Sequence, residues 1–143
     1  MSIVAFSLHP QLAADTVPVG DLALTRLLLA NDANYPWLIL VPRRMGASEL
    51  IDLENNEQVQ LIAEIDAAGR ALKTITECEK LNVAALGNVV AQLHVHVIGR
   101  RHNDKAWPKP IWGVAPPTAY DPAVREGFAA ALRRALQIEP TAG

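Results

Sequence analysis

The polarity pattern breaks the chain into short apolar runs separated by turn-forming residues, with two longer stretches of helical period. Residues 92–98 read Gln92-Leu93-His94-Val95-His96-Val97-Ile98 and alternate over most of their length. In a strand, side chains two apart share a face, so Leu93, Val95 and Val97 point one way and Gln92, His94 and His96 the other. Residues 22–30 and 37–41, rich in Leu and Ile, flank the turn-forming string Asn31-Asp32-Ala33-Asn34-Tyr35-Pro36 and predict a β-hairpin with a polar tip. Beyond a loop at residues 42–48, Leu61, Ile65, Ala68, Leu72 and Ile75 recur every three or four positions, which predicts one long amphipathic helix over residues 55–77. Residues 81–86 and 92–98 form a second antiparallel pair, joined by residues 87–91. A Pro- and Trp-rich loop over 106–117 then leads to a final helix over 122–137, with Pro122 suited to its first turn. Residues 6–19 contain His9-Pro10 and Val17-Pro18 without a sustained period, and are expected to be short extended pieces. Strand pairs with a helix inserted between them predict an antiparallel α+β domain. No Gly-rich phosphate loop follows a strand, which argues against Rossmann and P-loop architectures.

Composition removes several function classes. The 143 residues suffice for one domain with a real core, taken as residues 1–143. A net charge of -2 supplies no basic field for a nucleic-acid backbone, so nucleic acid is not an expected partner. The longest apolar runs are far short of a bilayer span and the N-terminus has no leader pattern, so no membrane partner and a cytoplasmic location are expected. A single cysteine, Cys78, forms no internal disulfide and has no zinc-ligand spacing around it; it reads as structural.

The chemistry concentrates on the histidine run. With about 3.3 Å of rise per strand residue, His94 and His96 have Cα atoms about 6.5–7 Å apart, and both rings reach one phosphate-sized group. Imidazole titrates nearest neutrality, which suits it to nucleophile, acid, base or metal-ligand roles. The Gly87-Asn88 turn brings main-chain N–H groups and an amide toward the same face, donors that suit anionic oxygen. Metal binding by His-x-His lacks an evident third ligand, since His102 and Asp104 lie in a loop, and no protein-held metal is expected. Arg43-Arg44 and Arg100-Arg101 read as solvated surface pairs, Trp112 as a packing anchor, and His9 as a structural or surface residue without a role.

The string QLHVHVI resembles the histidine-triad (HIT) signature, alternating histidines with apolar residues between them, with Gln92 in the place of the first histidine. Asn31-Asp32, the strand ending Leu38-Ile39-Leu40-Val41-Pro42-Arg43, the long helix, Gly87-Asn88 and Trp107-Pro108 follow in matching order, so the resemblance covers residues 22–112. It is similar to bacterial HIT-like or dinucleoside-polyphosphate hydrolase members with Gln at that position. The resemblance implies a five-stranded antiparallel sheet with a long helix and a C-terminal helix, a homodimer, and a purine nucleotide as ligand. It further implies hydrolysis or nucleotidyl transfer at an α-phosphate through a nucleotidyl-histidine, on a dinucleoside polyphosphate such as Ap4A or on a nucleoside phosphoramidate. His94 then corresponds to the nucleophile and His96 to a donor toward phosphate or leaving group. Gln92 holds a catalytic position but cannot titrate. Asn31 or Asp32 corresponds to a ribose contact, and Gly87 and Asn88 to the phosphate-facing turn. No tightly bound cofactor is implied, though Mg²⁺ accompanies a polyphosphate. Many members carry a histidine where this chain has Trp37, and purine stacking by Trp37 is a separate possibility. The altered position keeps a second class open, a non-catalytic purine-nucleotide-binding protein on the same scaffold.

Overall fold

The computed structural model describes residues 5–142. The first element of the described residues is α1 (Pro10–Asp15), which runs into β1 (Thr16–Asp21), followed by β2 (Thr25–Ala30) and β3 (Trp37–Pro42). A 3-10 turn (Leu50–Asp52) precedes α2 (Asn55–Thr76); β4 (Lys80–Ala84), β5 (Val95–Arg100) and α3 (Pro122–Leu136) complete the order. The five strands form one antiparallel sheet, β1-β2-β3-β5-β4, so the α+β, five-stranded reading holds.

Local chemistry explains where the helices begin and end. Glu54 and Glu57 form a capping box at the start of α2, and Glu77 closes it in the left-handed region at φ 55. At α3 the Asp121 carboxylate accepts from the N–H groups of Ala123 and Val124, with Pro122 in the first turn. Each helix stops one residue short of the sequence-based boundary, because Glu77 and Gln137 are caps.

Alternation along the strands makes two faces. Leu27, Leu29, Leu38, Leu40 and Val97 pack with Ala68, Ala71 and Leu72 of α2 and with Ala129 and Leu132 of α3. Leu28, Ala30, Ile39 and Val41 face the other way and meet Leu12 of α1, Val90, Phe6, Leu8 and Trp37. The buried carboxylate of Glu64 accepts from the N–H groups of Leu24 and Thr25 and from the Thr25 hydroxyl, fastening α2 to the β1–β2 turn.

Three expectations are corrected here. The opening segment is not merely extended: it holds a helical turn capped by His9, whose Nδ1 accepts from the Gln11 N–H, and then an edge strand. Pro18 is tolerated in that strand because it lies at the sheet edge, beside a register shift between Pro18 and Gly20. Next, β5 starts at Val95 rather than Gln92, so Gln92, Leu93 and His94 approach the sheet as irregular chain. Finally, Arg100 is not a solvated side chain. It is 1% exposed and pairs with Asp104, Nε to Oδ2 at 2.7 Å and Nη2 to Oδ1 at 3.0 Å, while Nη1 donates to Asn82.

Candidate active site

β5 pairs with β3 so that His96 stands opposite Ile39, and on its other side opposite Ala84 of β4. That register puts the His96 ring on the sheet face away from α2, the face that carries α1. His94 enters just before the strand, with its ring centroid 5.0 Å from that of His96. Both histidines are buried.

The hydrogen bonds set the two rings in complementary states. His94 Nδ1 lies 2.7 Å from the Gln92 main-chain oxygen, an acceptor, so this nitrogen carries the proton and Nε2 keeps its lone pair when the ring is neutral. Trp37 Nε1–H donates to His96 Nδ1 at 2.9 Å, so that nitrogen is the acceptor and the His96 proton sits on Nε2. Burial, reinforced by the neighbouring His94, pushes His96 down to about 4 and keeps it neutral at physiological pH. A lone pair on one ring and a neutral N–H on the next is what a phosphoryl centre needs from a nucleophile and a donor.

Both rings border a cavity of about 470 Å³, which also meets Leu12, Asp15, Trp37, Ile39, Val90 and Trp112. Of the predicted site residues, Asn31, Asp32, Gly87, Asn88, His94 and His96 are all brought to this cavity. Asp32 is buried, with Oδ1 accepting from the N–H groups of Asn34 and Thr118. The Asn31 side-chain oxygen accepts from Arg125 of α3 at 3.1 Å. Gly87 takes φ +74, a left-handed conformation that a side chain would strain, and so turns the exposed Asn88 to the mouth.

Gln92 departs from the expected shared face. Its side chain is not among the cavity-lining residues; Oε1 accepts from the His9 N–H at 2.8 Å and Nε2 donates to the Ser7 carbonyl at 2.9 Å. Trp112 departs in the opposite direction. Expected to be a packing anchor, it borders the cavity with its ring 5.0 Å from His96 and 6.2 Å from Trp37. Trp37, which the resemblance singles out for purine stacking, reaches the cavity because Trp37, Ile39 and Val41 share a face of β3 and Ile39 stands opposite His96. The basic pairs do not border this cavity: Arg43 donates to the Leu22 and Ala23 carbonyls, and Arg44 pairs with Glu57. Among the described residues no group of three His, Cys, Asp or Glu is placed to hold a metal ion, and no helix is long and apolar enough to cross a membrane.

The family model described as HIT domain matches residues 11–103. The chain belongs to the HIT domain family. Three solved structures agree with it over nearly their whole length. A histidine triad protein from Bradyrhizobium japonicum is 56% identical, with a TM-score of 0.91 and coverage of 93% of this chain and 99% of that one. One from Marinobacter aquaeolei is 42% identical, with a TM-score of 0.90 and coverage of 94% and 98%. One from Sinorhizobium meliloti is 41% identical, with a TM-score of 0.89 and coverage of 92% and 97%. No curated protein matches. Membership of the HIT family supports nucleotide binding or nucleotide hydrolase and transferase activity in general.

Proposed function

We propose that this HIT protein is a nucleotide hydrolase or nucleotidyl transferase acting at an α-phosphate, with His94 as nucleophile. The observation that carries the reading is the pair of opposed tautomers, His94 held through Nδ1 by the Gln92 carbonyl and His96 held through Nδ1 by Trp37. His94 Nε2 forms a bond to the α-phosphorus as the bond to the leaving group breaks, and water then cleaves the phosphorus–nitrogen bond. His96 Nε2–H, with the Asn88 amide and main-chain N–H groups of the 87–88 turn, meets the charge on the phosphoryl oxygens. The apolar part of the cavity, with Leu12, Ile39 and Val90, receives a purine, and the second oxygen of Asp32 accepts from a ribose hydroxyl. A Mg²⁺ ion, where needed, is carried by the substrate's phosphates and neutralises a departing polyphosphate.

Gln92 does not titrate and His96 stays neutral, so neither is a ready proton source for a leaving group. That favours a dinucleoside polyphosphate, whose leaving phosphate departs as an anion, over a phosphoramidate, whose amine must be protonated. A homodimer fits the open edge at β4, where Val83 is exposed, and the exposed Val59 and Ile62 of α2.

The test is turnover of Ap4A and of a nucleoside phosphoramidate, with and without Mg²⁺, by wild type and His94→Ala. The expected outcome is wild-type turnover that falls about a thousandfold or more in the variant while nucleotide still binds. Unchanged turnover removes His94 from the nucleophile role. Nucleotide binding with no turnover by the wild type favours the second reading, a nucleotide-binding protein, for which the altered first triad position is the specific observation.

A further inference from the structure

The Gln92 side chain makes two hydrogen bonds to one short piece of backbone, accepting from the His9 N–H at 2.8 Å and donating to the Ser7 carbonyl at 2.9 Å. Its primary amide thus meets an N–H and a C=O two residues apart on the same segment, much as a neighbouring strand would. Imidazole cannot reproduce this pair: its two nitrogens diverge from the ring, whereas the amide oxygen and nitrogen lie side by side. The segment so held leads directly into α1. His9 caps that helix through Nδ1, and its carbonyl accepts from the Ala13 N–H. Leu12 of α1 packs on Leu28, Ala30, Ile39 and Val41, and Gln11, Leu12, Ala14 and Asp15 line the cavity that His94 and His96 border.

We propose that Gln92 is a positioning residue that ties the N-terminal arm, residues 7–15, across the open face of the sheet, so that α1 forms a wall of the nucleoside cavity. The inference rests on the reading of that cavity as a nucleotide site. The position that would carry a third histidine has been given over to building the binding wall, and its effect falls on substrate affinity rather than on bond cleavage. Gln92 keeps one link to the chemistry through its main-chain oxygen on His94 Nδ1, which every side-chain variant retains.

Three full-length variants test it. Gln92→Ala removes both side-chain bonds; Gln92→Glu keeps the acceptor for the His9 N–H and opposes a carboxylate to the Ser7 carbonyl; Gln92→His restores the commoner residue. Amide hydrogen exchange is read at His9 and Ala13, and KM and kcat with Ap4A are measured alongside. The expected result for Gln92→Ala is exchange at His9 faster by about tenfold, as the loss of one or two net hydrogen bonds implies. KM rises by about three- to tenfold with kcat within about twofold. Gln92→Glu is intermediate in exchange, and Gln92→His resembles Gln92→Ala. Unchanged exchange at His9 and Ala13 overturns the tether. A fall in kcat of about a hundredfold or more at unchanged KM overturns the positioning role and returns the side chain to the chemistry. Exchange is measured without nucleotide, so failure of the wild type to turn over Ap4A would defeat the hydrolase reading and leave the test of the tether standing.

Discussion

On one side of the sheet Leu27, Leu29, Leu38, Leu40 and Val97 meet two helices and are sealed; on the other, Leu28, Ala30 and Ile39 meet α1, and His96 borders a cavity of about 470 Å³. The strands are the same, so the difference lies in what covers them. At 1.5 Å per residue, α2 with 22 residues is about 33 Å long and α3 with 15 about 22 Å, whereas α1 with 6 is about 9 Å. A six-residue strand such as β3 is about 20 Å long. Each long helix is therefore at least as long as a strand, whereas α1 is less than half as long. The remainder of its face is closed by chain without regular structure, residues 86–90 and the loop carrying Trp112, which bring main-chain donors and aromatic edges that a helix would have replaced with apolar side chains.

The comparison sharpens first at the loop. Asp104 accepts from Arg100 and from the N–H groups of Arg101, Ala106 and Trp107, holding the start of the segment that reaches Trp112. Asp104→Asn leaves the Arg100 guanidinium buried without its carboxylate and is expected to cost about 4 kcal/mol, measured by urea unfolding. Burial would raise the Asp104 carboxyl, but Arg100 and those N–H groups outweigh it and hold it at about 2, below its ordinary 3.8. Its contribution is thus complete above about pH 4 and is lost as pH falls from there toward 2. The variant should lose that acid dependence, and wild-type stability in the variant would show that the pair does not hold the loop.

Next come matched truncations on the two faces. Leu72→Ala on the sealed side should cost about 3 kcal/mol with nucleotide affinity unchanged. Leu12→Ala on the open side should cost about 2 kcal/mol and weaken nucleotide binding as well. Calorimetric titration with AMP on both variants separates the outcomes; equal effects on affinity would erase the distinction between the faces. The smallest effect is at Trp37. Trp37→Phe removes the donor on neutral His96 Nδ1 and should raise the His96 value, read as a shift in its imidazole ¹⁵N titration. Because the folded value of about 4 lies below the ordinary 6.5, the protein loses stability as pH falls from about 6.5 toward 4, and the variant should lose less.

Much of the candidate site was legible because several of its residues follow local rules. The alternation that makes β5 puts His96 on the open face, and Gly87 and Asp32 sit in turns recognisable by composition. What escaped was set by contacts and chain reversals that no local period reports. Gln92 belongs to Ser7 and His9, so no periodicity around it reveals its direction. Arg100 reads as half of a surface pair until Asp104 folds back onto it. α1 has fewer than two turns and no room for a helical period, and Pro18 and Gly20 disguise β1 as a loop. Trp112 sits in a loop whose course is decided by tertiary contacts.

The tip between β2 and β3 is bonded to a late part of the chain: Thr118 N–H to Asp32, Ala33 N–H to the Thr118 carbonyl, Asn34 to the Pro116 carbonyl, and Arg125 to Asn31. During synthesis, all five strands have been made once Arg100 is added, while Thr118 and Arg125, the late partners of Asp32 and Asn31, have not. Closing those separations costs more chain entropy than forming any hairpin. The strands are therefore complete in a nascent chain before the contacts that hold this tip are, and a chain ending ahead of Thr118 would lack those contacts together with α3 and its share of the core.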